Sequence, residues 1–136
     1  MITNPKNGWC SFSLGDFLGS ASYLTDVPCD LLDAFLNFHE NGAGVAVFDE
    51  EGSFFTMVLT KYNNGIFLIE ERDTALLHDF SDLDIYTLED EVIADIENDI
   101  DAWASNFTIG DDAEEIEKQR MEIWARLKKL KSYRRK

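Results

Sequence analysis

The sequence lacks a long apolar segment and is poor in cysteine. No run approaches the roughly 18 residues that a transmembrane helix needs, and no basic, apolar, small-residue start indicates a secretory signal. The two cysteines, Cys10 and Cys29, have no metal-ligand spacing, and thiols in a chain without an export signal are expected to stay reduced. We therefore expect a cytoplasmic protein that has neither a membrane span nor a structural disulfide.

The short motifs that carry chemistry are also absent. The sequence contains no GxGxxG, P-loop or GxSxG pattern. Asp79, Asp82 and Asp84 lie close enough in sequence to attract a cation, but the glycine and the terminal glutamate of an EF-hand loop are missing. Because the chain has 27 acids, close pairs of carboxylates carry almost no information about catalysis. We predict no enzyme activity, no catalytic residue, no cofactor and no metal site.

Bases are scarce over most of the chain. Residues 1–117 carry 26 acids and three bases, a net charge of −23, whereas residues 118–136 carry nine bases and one acid, a net charge of +8. An acidic surface repels nucleic acid and anionic membranes, and it raises the rate of encounter with basic proteins. We therefore expect a basic protein as partner, and neither nucleic acid nor a membrane. Charge that serves solubility alone is the alternative that composition leaves open.

The C-terminal bases allow three interpretations. They are typical of nucleic-acid or membrane contact, of a helix end whose dipole they complement, or of a segment that docks on the acidic body. Aromatic residues near them are limited to Tyr133, which disfavours the stacking of bases in nucleic acid.

Three apolar segments, residues 45–48, 54–59 and 66–69, predict a three-stranded antiparallel meander. Asn64-Gly65 predicts a two-residue type I′ turn between the last two, and Gly52 suits a left-handed position in the turn before them. The segments are nearly continuous in apolar residues rather than alternating. This pattern predicts that helices or loops cover much of both faces of the sheet.

The remaining pattern adds two strands and three helices. Residues 9–14 and 17–24 read as strands, and a first helix begins at residues 25–28 and ends at Asn41-Gly42. Residues 83–86 are a candidate short strand; a second helix capped by Thr87 runs to Phe107, and a third starts near Asp112. We predict one domain, 1–136, with an α+β body (1–107) and a charged C-terminal helix (111–136). The fold class is α+β: an antiparallel β-sheet of five or six strands with one inserted helix and two C-terminal helices.

Several short segments resemble a known family. Residues 4–9 (NPKNGW), 12–17 (FSLGDF), 22–28 (SYLTDVP) and 48–52 (FDEEG), with the acidic helix ending at Trp103, are similar to bacterial immunity proteins of contact-dependent growth inhibition and related polymorphic toxin systems. The resemblance covers roughly the first 107 residues. It implies a cytosolic protein that binds a cognate toxin domain tightly and blocks it. Such toxins are often nucleases with basic substrate-binding clefts.

These observations lead to a functional hypothesis. The acidic body would bind a basic toxin domain and occlude its active site, because carboxylates placed like phosphates compete for the same Lys and Arg side chains. The predicted contact residues are Asp79, Asp82 and Asp84, between the meander and the second helix, and Asp95 and Asp99, on the polar side of that helix. Two alternatives stay open: an acidic adaptor or regulatory module with a non-toxin partner, and a small enzyme that uses Cys29 or the carboxylates.

Overall fold

The computed structural model describes residues 1–108 and 112–134. Within them the chain forms seven strands and four helices. In order these are β1 (Ile2–Lys6), β2 (Trp9–Leu14), β3 (Phe17–Ser22), α1 (Val27–Asn41), β4 (Ala43–Asp49), β5 (Phe54–Thr60), β6 (Gly65–Glu71), β7 (Ala75–Asp79), α2 (Ile85–Glu97), α3 (Ile100–Asn106) and α4 (Ala113–Arg134).

The strands form two antiparallel sheets, so the predicted α+β class is confirmed and the predicted single sheet is wrong. The first sheet has the order β1-β2-β3, and the second has the order β4-β5-β6-β7. Sequence analysis overlooked β1 and β7. β1 contains Pro5 and a left-handed Asn4 (φ 56°), and β7 buries none of its five residues, so neither segment has the alternating pattern of a half-buried strand.

The meander has the predicted strands but not the predicted second turn. Thr60 pairs with Gly65, and the left-handed residues between β5 and β6 are Asn63 (φ 55°) and Asn64 (φ 50°), one position earlier than expected. Gly65 is extended and opens β6. In the turn between β4 and β5, Gly52 has a positive φ (136°) as predicted.

Helix α1 has the predicted bounds because its end signals are local. The Asp26 carboxylate accepts the Cys29 N–H at 3.3 Å, and Gly42 ends the helix with φ 86°. The helix lies against β4 so closely that a Cβ at Gly44 would stand 1.8 Å from the carbonyl oxygen of Ala34. Glycine at position 44 therefore fixes the approach of α1 to the second sheet.

Aromatic rings join the two sheets in one core. The Phe12 ring of β2 lies 4.9 Å from that of Phe48 in β4 and 4.8 Å from that of Phe55 in β5, between ring centroids. All three side chains are fully buried. The inner faces of the two sheets thus pack on each other, and α1 packs on the second sheet.

The predicted second helix is two helices, and its predicted start is wrong. Asp84, not Thr87, caps α2, and Asp99 caps α3 after a break at Asn98. Ile85 already belongs to α2, so the candidate strand at residues 83–86 does not exist. Thr87 lies in the first turn and donates its own hydroxyl to Asp84 at 2.7 Å.

Helix α4 packs on α1 and α3 through an apolar stripe. Ile123, Leu127 and Leu130 are fully buried, and Ile116 is half-buried. None of the helices in the described part of the chain is long and apolar enough to cross a membrane.

Candidate protein-binding surface

Five of the seven bases of α4 are paired with acids of the other helices. The pairs have N–O distances of 2.5 to 2.9 Å: Arg120 with Asp101, Arg126 with Asp33, Lys129 with Glu40, Lys131 with Glu97, and Arg134 with Asp90. The part of the basic segment that the structure describes therefore docks on the acidic body, one of the three interpretations left open. Arg135 and Lys136 lie outside the described residues.

A buried ionic cluster reinforces this docking. His39 Nε2 lies 2.5 Å from Glu89 Oε2, and Arg134 Nε lies 3.2 Å from Glu89 Oε1. Burial raises the pKa of Glu89, although His39 and Arg134 oppose the shift. The Tyr133 ring stacks on His39 at 4.8 Å, and the Arg134 guanidinium lies over the ring of Tyr86. The cluster closes α4 onto α1 and α2, and its Glu89 carboxylate is wholly shielded from solvent.

Two of the five predicted contact residues are helix caps. Asp84 accepts the Thr87 N–H at 3.0 Å, and Asp99 accepts the Ala102 N–H at 3.3 Å. The hydrogen bonds from Thr87 lower the pKa of Asp84. A third residue, Asp95, accepts the backbone N–H of Ile2 at 3.2 Å and so ties α2 to β1. Each of these carboxylates has a role in the fold.

The other two predicted residues lie at the end of β7. Asp79 accepts the Ser81 N–H at 2.9 Å, and hydrogen bonds from Ser81 lower its pKa. Asp79 and Asp82 line a shallow cleft together with Asp16 and His78. Asp95 and Asp99 line a different cleft, beside β1. The structure therefore brings the five aspartates together only in pairs, with Asp84 outside both clefts.

The second sheet has an uncovered apolar face, which contradicts the prediction that helices or loops cover much of both faces. We call it the outer face. Its apolar residues are Val45, Val47, Phe54, Val58, Phe67, Ile69 and Leu77. Val45, Phe54 and Leu77 are 54%, 43% and 63% exposed. The continuous apolar pattern arises because one face of the strands enters the core while the other stays apolar and open to solvent.

The strand register arranges the outer face in rows. Val45, Val58 and Phe67 lie side by side across β4, β5 and β6, and the row ends at Asp79 in β7. The next row is Val47, Thr56, Ile69 and Leu77. Apart from Thr56 and Asp79, these rows make an apolar surface that extends over four strands, the kind of patch that marks interaction sites.

Every charged strand residue on the outer face is acidic. Asp49 and Glu71 share the row of Phe54 at one end, and Asp79 ends the row of Val45. We call these three residues the acidic rim. In the described residues no base forms an ion pair with any of them. The nearby Arg72 is bound to Glu50 and Glu70 instead.

Helix α4 carries a smaller apolar strip. Met121 (63% exposed) and Trp124 (48% exposed) lie one turn apart, beside Lys128 and Lys131. All residues around this strip belong to α4, so it is the convex surface of one helix and not a cleft.

The side chains considered for chemistry are poorly placed for it. Burial raises the pKa of Cys10 to about 12, and burial followed by the charge of Asp26 raises the pKa of Cys29 further. Both thiols are therefore protonated at neutral pH, which is the unreactive form. Within residues 1–108 and 112–134, no group of three His, Cys, Asp or Glu side chains is arranged to hold a metal ion.

Sequence reasoning missed the outer face, although its signal was present in the strand patterns. The acidic rim has a sequence signal too. At the alternate positions of β4, β6 and β7 whose side chains face outward, the charged residues are all Asp or Glu. Comparisons of the chain with protein-family models, with curated proteins and with solved structures found no match.

Proposed function

We propose that this chain is a cytoplasmic immunity protein of a bacterial contact-dependent growth inhibition or related polymorphic toxin system. It binds a basic toxin domain, of nuclease type, and occludes the active site without processing the toxin. It acts as a binding protein and not as an enzyme. The family resemblance of the first 107 residues and the distribution of charge support this proposal.

One observation carries the physical part of the argument. Five of the seven bases of α4 form ion pairs inside the molecule, with acids of α1, α2 and α3. Among the described residues, no ion pair joins α4 to the second sheet or its loops, where residues 43–84 hold nine acids and two bases, and of these bases Arg72 pairs with Glu50 and Glu70. A net negative charge therefore remains in the part of the chain where apolar surface is also exposed.

This arrangement suits a basic toxin for two reasons. Long-range attraction raises the rate of association with a basic surface, and salt weakens that attraction. At contact, carboxylates accept the same Lys and Arg hydrogen bonds that substrate phosphates would accept. The association rate should therefore fall as salt rises, while apolar contacts set the lifetime of the complex.

The proposal is tested by rescue. The reading frame immediately upstream of the gene is expected to encode the toxin, whose C-terminal domain is expressed from an inducible promoter with and without this chain. Growth should be restored when both are present, and the purified proteins should form a complex. Continued growth arrest in the presence of soluble, folded protein would overturn the proposal.

The acidic adaptor remains a second candidate, since the same charge distribution suits any basic protein. The adaptor function is favoured if the chain binds a basic protein, encoded by a neighbouring gene, that has no effect on growth. An adaptor leaves its partner active, whereas an immunity protein abolishes the activity, so a nuclease assay on the purified complex separates the two.

A further inference from the structure

The outer face is an apolar surface that no other element described in the chain covers. Helix α1 packs on the inner side of β4 and β5, α4 packs on α1 and α3, and α2 and α3 contact β1. The row of Val47, Thr56, Ile69 and Leu77 is the middle row of this face. Val47 and Leu77 lie at its two ends and are 43% and 63% exposed. Open apolar patches of this kind are uncommon on monomeric proteins unless they bind something.

The acidic rim restricts what can bind there. Asp49 and Glu71 border the face at one end and Asp79 borders it at the other, and no ion pair neutralises them in the described residues. A second copy of the chain, docked face to face, would bring two acidic rims together, which is unfavourable. A partner with lysines and arginines around an apolar centre would satisfy both the rim and the face.

We infer that the outer face is the docking surface for a protein patch that has an apolar centre and a rim of Lys and Arg. This inference rests on the proposed function in one respect only, the identification of that patch with the toxin. It differs from the sequence-based prediction, because the apolar rows of β4 to β7 then form the centre of the complex, and of the five predicted aspartates only Asp79 lies on the outer face.

A defined probe tests the surface without any knowledge of the natural partner. The probe is a labelled helical peptide of about 18 residues, long enough to form a stable helix on contact, with leucines along one face and lysines on both sides of it. A second peptide of the same composition has its leucines dispersed around the helix. Binding is measured by fluorescence anisotropy at about 150 mM salt, where long-range attraction is largely screened.

The test variant combines Val47→Lys with Leu77→Lys. It places one positive charge at each end of the middle row. Its matched control is Met121→Lys, since Met121 has the same exposed fraction as Leu77 and lies on α4. The face-segregated peptide should bind the wild type more tightly than the dispersed one. The double variant should lose at least about tenfold in affinity for it, because like charges meet on an apolar surface. Met121→Lys should stay within about twofold.

Several results would overturn the inference. One is equal binding of the two peptides, and another is no binding by the wild type. A third is a loss of affinity in Met121→Lys that matches or exceeds the loss in the double variant. Sedimentation of the wild type alone adds a further check: a dimer that Val47→Lys with Leu77→Lys dissociates would assign the face to a second copy of the chain.

The same variants separate this inference from the proposed function. If the double variant rescues growth as well as the wild type does, the toxin docks elsewhere. In that case only the assignment of the outer face to the toxin fails. If the wild type does not rescue growth but the peptide binds specifically to the outer face, the immunity function fails and the face remains a protein-docking surface.

Discussion

Replacing Gly44 by alanine tests the packing that holds α1 on the second sheet. The added Cβ would lie 1.8 Å from the carbonyl oxygen of Ala34, against 3.4 Å or more in an ordinary contact. Because the obstacle is backbone and not the end of a flexible side chain, α1 and β4 must separate by about 1.6 Å. Leu31, Ala34 and Phe35 are fully buried in α1 and would lose part of their packing.

The expected cost follows from this geometry. Overpacked cores lose about 1–3 kcal/mol, and a rigid clash in the centre of an interface belongs at the upper end of that range. We therefore expect Gly44→Ala to lower the free energy of unfolding by about 3 kcal/mol, as measured by urea denaturation with tryptophan fluorescence. Val45→Ala is the matched control, since Val45 is the next residue and points to solvent, and it should cost well under about 1 kcal/mol. A Gly44→Ala protein within about 1 kcal/mol of the wild type, with an unchanged denaturant slope, would refute the reasoning.

Four further predictions concern stability, pH and binding. Burial, followed by the charges of Asp26 and Asp33, raises the pKa of Asp30 to about 6. The folded protein therefore holds this proton more firmly than the unfolded chain, and the resulting stability is lost as pH rises from about 4 to about 6. Asp30→Asn should remove that loss and exceed the wild type by about 1 kcal/mol at neutral pH, after allowance for solvent screening; parallel urea midpoints across this range would contradict the assignment. Phe55→Ala or Leu68→Ala should each cost about 2–5 kcal/mol in the same denaturation assay, because both side chains are fully buried. Cys10→Ser and Cys29→Ser should leave rescue of growth intact, as should chelation of divalent metal, and a folded thiol variant that fails to rescue would reopen the enzyme hypothesis. Asp82→Lys combined with Asp84→Asn reverses one predicted contact and neutralises another while keeping a side chain that caps α2; it should slow association with the basic partner, and an unchanged rate at low salt would exclude these two residues from the binding surface.

Local signals in the sequence were sufficient for some elements. Helix α1 was predicted correctly because Asp26, Pro28 and Gly42 act on their own backbone neighbourhood. The Asn64-Gly65 signal predicted the correct hairpin but the wrong turn residues. Asn63 and Asn64 occupy the left-handed positions, and Gly65 is extended and belongs to β6. Asparagine tolerates that conformation nearly as well as glycine, so composition alone does not fix the position.

Non-local features could not be predicted in the same way. Whether β4 pairs with β3 or begins a separate sheet depends on how α1 and the Phe12 ring pack. No short segment of the sequence determines that packing. The continuous apolar pattern of β4 to β6 fits a sheet covered on both faces and equally a sheet with one face open for binding. Only the positions of the four helices separate these cases, and for this reason the predicted contact residues were all charged and the outer face was overlooked.

The alternation of side chains in the second sheet has a consequence for how the protein can change over evolutionary time. Ala46, Phe48 and Met57 point into the core, while Val45, Val47 and Thr56, their neighbours in the chain, point away from it. A substitution of one set leaves the contacts of the other set unchanged, because successive residues of a strand occupy opposite faces. Selection for a different partner can therefore rewrite the outer residues one at a time while the inner residues preserve the fold. Sequences that share this architecture should diverge most at every second position of β4, β5 and β6.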